Sequence, residues 1–203
     1  MNRRRALIAL LSLVLLAACQ RALFSPETAD QRFTRWHRAH AAEAGAYQAW
    51  LASQGVADVA PLSSLLRTSR RWRQCDAPEF AVPPRAGWAQ MPSTLRLLRL
   101  LQAEGLADGG HIRSGWRDAR TNACSGGSPR SRHLANRALD LDLASSVTAA
   151  RLCGYWREHG PALRMGLGFY SPEHIHIDTA GFRTWGNDHT RRTSLCVQPP
   201  PAL

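Results

Sequence analysis

Apolar and polar positions alternate with a period of two at two places in the second half of the chain. Leu139, Leu141 and Leu143 alternate with Asp140 and Asp142, and Ile175 and Ile177 alternate with His174, His176 and Asp178. Successive side chains on a strand point to opposite faces, so each stretch predicts a strand with aliphatic residues in a core and charged residues together on the other side. Ile112 to Trp116 reads as a shorter strand. Elsewhere the period lengthens. Phe33, Trp36, His40, Ala44, Tyr47 and Leu51 recur at steps of three and four, predicting one helix of about six turns that starts near Pro26 and Thr28 and ends at Gly55. Leu62, Leu65 and Leu66 suggest a short helix. Ser93 is placed to cap a helix that carries Leu95, Leu98 and Leu101 and closes at Gly105, and Thr148 to His159 is a further helix. Pro78, Pro83 and Pro84 mark an extended crossing, and the polar stretch from Asp118 to Arg132 reads as a long loop.

These elements predict an α+β domain in which a small antiparallel sheet carries Asp140 and His176, with helices on one side and a groove on the other. The expected organisation is a leader over 1–18, a tether and helical arm over 19–79, the main domain over 80–196 and a Pro-rich tail over 197–203. The arm from Pro26 to Leu66 is expected to dock on the main domain.

The charged face of the two strands needs a chemical reason. With His133 upstream, it offers two imidazoles and a carboxylate, which leave one tetrahedral corner for water. That is the layout of a catalytic rather than a structural zinc site, so His133, Asp140 and His176 are the candidate ligands.

Length allows one domain with a substantial core: 203 residues. Arg3, Arg4 and Arg5 precede an apolar run from Ala6 to Ala18, too short to cross a bilayer comfortably, and Cys19 follows. Leu16-Ala-Ala-Cys19 resembles the bacterial lipobox, which implies cleavage before Cys19 and its acylation. A plain secretory peptide is the alternative, and both export the protein. Gln20 after the cysteine implies, by resemblance to lipoproteins of two-membraned bacteria, a lipid-anchored periplasmic protein at the outer membrane. Export makes Cys75, Cys124, Cys153 and Cys196 two disulfides by default, with their pairing open. None shows C-x-x-C spacing.

Net charge is +11, and all 26 basic residues are arginines. Removing Arg3, Arg4 and Arg5 with the leader leaves 23 bases against 15 acids, a balance of +8 that favours an anionic partner. Export points to anionic lipid or cell-wall polymer rather than nucleic acid. Arg67 to Arg73 reads as a solvated face. The absence of lysine excludes a Ser-x-x-Lys serine mechanism.

Ser114-Gly-Trp-Arg117, Asn122, Gly126-Gly127, Ser131-x-His133, Ala138-x-Asp140, Gly166-x-Gly168 and Glu173-x-x-His176 together resemble the zinc D-alanyl-D-alanine peptidases of the M15 family, over residues 80 to 188 or so. The resemblance implies one zinc ion on His133, Asp140 and His176, Glu173 as general base, Arg117 gripping the terminal carboxylate of a D-Ala-D-Ala stem, and Ser131 helping to bind substrate. Trp116 stands where tyrosine is commoner. Zinc so held brings the pKa of its water to about 7, a carboxylate base moves the proton, and a guanidinium fixes register bidentately. Asp142 and Asp178 are expected to accept hydrogen bonds from ligand histidines. On an ideal strand Glu173 and His176 face opposite ways, so Glu173 reaches the water only if Ser171-Pro172 bends the chain. His174 shares the face of His176 and resembles the first histidine of the His-x-His pair in lysostaphin-type endopeptidases, which makes it the other candidate base or a transition-state donor. The implied activity is hydrolysis of D-Ala-containing bonds of peptidoglycan stem peptides, as carboxypeptidase or endopeptidase. The alternative is a non-catalytic envelope lipoprotein that binds stem peptides or organises cell-wall enzymes. No obligate protein partner is expected.

Overall fold

The structure, a computed structural model, describes residues 26–197; the leader, Cys19 and the end of the tail lie outside the described residues. The chain divides into two compact units, one ending at Arg38 and the other running from Ala39. Among the described residues of the first is α1 (Ala29–Ala39). The helix predicted as continuous is therefore two, because His40 leaves the helical region (φ −122°, ψ 22°) before α2 (Ala41–Ser53) begins. α2 buries Ala44, Tyr47 and Leu51 from the predicted stripe, and the chain turns where Gly55 takes a φ of +67°.

After α3 (Leu62–Leu65) comes α4 (Met91–Ala103), which starts two residues before the expected Ser93 cap. Pro92 occupies its first turn, where a missing N–H costs nothing, and the Ser93 hydroxyl instead meets that of Thr179 at 2.7 Å. The helix closes at Gly105 with a φ of +61°. Next follow β1 (Ile112–Ser114), α5 (Ala119–Cys124), β2 (Ala138–Asp142), α6 (Ala149–Leu163), β3 (Gly166–Phe169), β4 (His174–Asp178) and β5 (Arg183–Trp185). The expected loop after Asp118 thus holds a short helix. The Asp118 carboxylate caps it by accepting from the Thr121 N–H at 2.7 Å.

Strand order is β1-β2-β4-β3-β5, with every pair antiparallel except β3 and β5. The protein is α+β as expected, but its sheet is mixed. β4 ends beside the start of β3, Asp178 opposite Gly166, and residues 179–182 carry the chain past that edge so that Arg183 also meets Gly166 and runs alongside in the same direction. Leu139, Leu141, Leu167, Phe169, Ile175 and Ile177 share one face, each no more than 2% exposed. α4 lies against β2 and β4 and buries Leu95, Leu98 and Leu101. Each such side chain contributes about 1.5–3 kcal/mol relative to exposure.

Two disulfides close the unit: Cys75–Cys124 and Cys153–Cys196. Spanning 49 and 43 residues, they contribute about 4 kcal/mol each in the chain-entropy account. Among the described residues no helix is long and apolar enough to cross a membrane.

Candidate metal centre

The face of the sheet opposite the aliphatic layer carries the site. Asp140 and His176 are register partners on β2 and β4. His133 comes from a 3₁₀ turn, Arg132–Ala135, that the Ser131 hydroxyl caps by accepting the His133 N–H at 3.3 Å and that Asn136 closes in the left-handed conformation (φ 52°). His133 Nε2 lies 3.0 Å from Asp140 Oδ1 and 3.1 Å from His176 Nδ1, which is itself 3.0 Å from the same carboxylate oxygen. All three residues are buried. Among the described residues they form a group able to hold a metal ion.

The far ring nitrogens fix the tautomers. His133 donates Nδ1–H to the Gly115 carbonyl at 2.6 Å, and His176 donates Nε2–H to Asp178 at 2.9 Å. Each ring then turns a lone pair inward toward the Asp140 oxygen, an arrangement that a cation satisfies and that otherwise requires a shared proton. Zinc donors at about 2.0–2.1 Å in a tetrahedron stand about 3.3 Å apart, close to this triangle. The residues present fit the ion.

Electrostatics agree. Burial drives the His133 imidazole down, Arg117 adds to that, and it falls to about 4 despite Asp140. Burial also opposes charge on His176, but its hydrogen bonds with Asp140 and Asp178 outweigh that and raise it above its ordinary value. Burial resists ionisation of Asp140, yet His133 and Arg117 hold it well below the usual carboxylate range. His176 is thus the more basic of the two rings, and its Nδ1 faces His133 Nε2 across the place a cation takes.

Each carboxylate has its own arginine. Arg117 Nη2 bonds Asp140 Oδ2 at 2.6 Å, and Arg183 forks onto Asp178 at 3.0 and 2.5 Å. Behind them β3 must lack side chains. A Cβ at Gly166 would stand 2.8 Å from both Asp178 oxygens, and one at Gly168 would stand 2.5 Å from the Trp185 ring, whose edge packs on His176 at 5.0 Å. That is the physical reason for Gly166-x-Gly168.

A cavity of about 370 Å³ opens over His176, lined also by Arg117, Ser131, Tyr170, Trp185 and His189. The Tyr170 hydroxyl lies against Arg117 and Asp140, and burial with the Asp140 charge pushes its phenol far above the ordinary value, so it stays a donor.

The remaining expected residues are placed as follows. Arg117 lines the cavity, but part of its guanidinium is committed to Asp140, and its buried Nε has no partner among the described residues. Ser131 lines the cavity while capping the His133 turn. Asp178 bonds His176, whereas Asp142 meets neither ligand histidine. It accepts Arg113 Nε at 2.6 Å, pairs with Arg70 and lies 3.1 Å from His174 Nδ1, its register partner one step along the sheet. Arg70, read as part of a solvated run, thus reaches the sheet. His174 Nδ1 also lies 3.2 Å from the Leu141 carbonyl and 3.0 Å from Arg70, and burial lowers this imidazole. The bend at Ser171-Pro172 forms, the Ser171 hydroxyl accepting the N–H groups of Glu173 and His174 at 3.3 and 3.0 Å. It leaves Glu173 exposed and outside the cavity lining.

Reading the sequence missed Arg183 and Tyr170. The glycines of β3 were the available signal, since two small residues beside a charged strand mark something bulky packed across them.

No curated protein and no solved structure matches the chain. A family model described as Peptidase M15 matches residues 63–178, over half the chain and the whole ligand group. With that match added to two imidazoles and a carboxylate converging beneath a cavity, the chain belongs to the Peptidase M15 family and is a metallopeptidase.

Proposed function

We propose that this protein is a zinc peptidase hydrolysing D-alanine-containing bonds of peptidoglycan stem peptides, exported and held at the outer membrane by a lipid on Cys19. The observation that carries the reading is the inward-facing triangle of His133, Asp140 and His176 beneath an open cavity. The Ser114-Gly-Trp-Arg117 and Ser131-x-His133 motifs, shared in pattern with D-Ala-D-Ala peptidases, support the substrate, and the leader sequence supports the location. Zinc suits two neutral imidazoles and one carboxylate, and when bound it supplies Lewis acidity and a water of pKa about 7.

The chain's own groups supply the rest. His174 shares the sheet face of His176, and its Nδ1 is taken up by the Leu141 carbonyl, Asp142 and the Arg70 guanidinium, which leaves Nε2 outside these contacts. Arg113 and Arg70 hold Asp142 in that orientation. His174, on the ligand face of the sheet and less exposed than Glu173 although like it outside the cavity lining, is the group we assign to take a proton from the attacking water and return it to the leaving amine. Tyr170, kept protonated, and Arg117 beside it offer donors to an oxyanion developing over the site. Ser131 and the unbonded part of Arg117 face the same cavity and are suited to a peptide carboxylate.

The test is to incubate zinc-loaded protein with a pentapeptide stem and with purified sacculi. Release of D-alanine identifies a carboxypeptidase, and loss of cross-linked muropeptides identifies an endopeptidase. Stoichiometric zinc with neither product would overturn the hydrolase reading in favour of a stem-peptide binder.

A further inference from the structure

Around the cavity stand five arginines, and neither Asp nor Glu lines it. The arginines are of two kinds. Arg117 and Arg183 are committed to Asp140 and Asp178. Arg130, Arg132 and Arg191 are exposed, and none has an ion-pair partner among the described residues. Other exposed arginines do meet acids, as Arg35 does Glu27 and Arg99 does Asp58. The overall basic balance alone therefore does not explain a rim free of carboxylates.

The three free guanidiniums come from two segments. Arg130 lies on the stretch between α5 and the His133 turn, Arg132 opens that turn, and Arg191 lies beyond β5, past the residues matched by the family model. Each segment is stapled: Cys124 at the end of α5 to Cys75, and Cys196, five residues after Arg191, to Cys153. Like charges gathered at one opening repel, and a bound anion relieves that repulsion. A single terminal carboxylate uses one guanidinium fork. Three more exceed what a neutral or singly charged peptide needs.

Resting on the peptidase reading above, we infer that Arg130, Arg132 and Arg191 select a stem peptide whose side-branch carboxylates are free rather than amidated, so that the preferred substrate carries at least two carboxylates beyond its terminus. The terminal carboxylate falls to Arg117, and the branch carboxylates to the rim.

The experiment compares two synthetic pentapeptides of one sequence ending in D-Ala-D-Ala, one with both branch carboxylates free and one with both as amides. The expected kcat/KM is at least about tenfold higher for the free acid, the worth of one charge-assisted hydrogen bond, and the ratio shrinks as salt is added. In the triple variant Arg130→Gln/Arg132→Gln/Arg191→Gln the ratio falls toward one. Equal kcat/KM for the two peptides, or a preference that the triple variant keeps, overturns the inference and leaves the peptidase reading standing. If neither peptide is cleaved, the carboxypeptidase form of the peptidase reading fails, and calorimetric titration of both peptides into the same protein decides the inference. Tighter binding of the free acid, weakened in the triple variant, upholds it; equal binding or none overturns it.

Discussion

Asp178 tests the metal centre without the removal of a ligand. Its carboxylate takes the Nε2–H of His176 at 2.9 Å and is itself held by Arg183 at 3.0 and 2.5 Å and by the Ala180 N–H at 2.7 Å, at zero exposure. Asp178→Asn keeps the shape and removes the charge. The bond to His176 then drops from the charge-assisted range, about 1.5–3 kcal/mol, to the neutral one, about 0.5–1.5. A loss of about 1.4 kcal/mol is tenfold in affinity, and changes at such supporting acids run to about 100-fold because the ring also becomes a weaker base. Arg183 is left facing an amide, so the metal-free protein also loses about 1–3 kcal/mol of stability. The assay is zinc affinity by competition with a chromophoric chelator, beside circular dichroism and thermal melting. The expected result is a folded protein with zinc affinity about 10–100-fold weaker. A folded Asp178→Asn protein whose affinity stays within about twofold of the parent would refute the claim that this acid orients and strengthens the ligand ring.

Three further outcomes are expected. Glu173→Ala keeps its metal and most of its hydrolysis, whereas His174→Ala keeps its metal and loses about 10²–10⁴-fold in kcat; metal content and stem-peptide turnover check both, and the reverse pattern returns the base role to Glu173. Zinc affinity rises with pH through the raised value of His176, because the deprotonated Nδ1 is the ligand form, while His133, lowered to about 4, adds no competition near neutrality; a profile flat between about pH 6 and 8 contradicts this. Gly168→Ala places a Cβ 2.5 Å from Trp185 and destabilises by about 1–3 kcal/mol, read by chemical denaturation, with a native melting profile as the contrary result.

Much of the site was legible before any coordinates. Alternation in Leu139–Leu143 and Ile175–Asp178 puts the carboxylates and imidazoles on one face whatever the neighbours are, because strand side chains alternate by covalent geometry. That local rule placed Asp140 and His176 on a common side, and pairing in register did the rest. It had no power over Glu173, which sits just outside β4 where the alternation has not begun. Nor could it separate Asp142 from Asp178. Both alternate correctly, yet one faces His174 and two arginines and the other faces a ligand ring.

By itself the sequence determined the α+β class, the two charged strand faces and the histidine and aspartate types at metal-binding spacing, all properties carried within a few neighbouring residues. Tertiary structure alone decided the break at His40, the parallel seat of β5, the pairing Cys75–Cys124 and Cys153–Cys196, the grip of Arg183 on Asp178 and the ring of uncommitted arginines about the cavity. Most of these join residues far apart in the chain, and such a contact leaves no local trace because its free energy exists only once the intervening chain has closed.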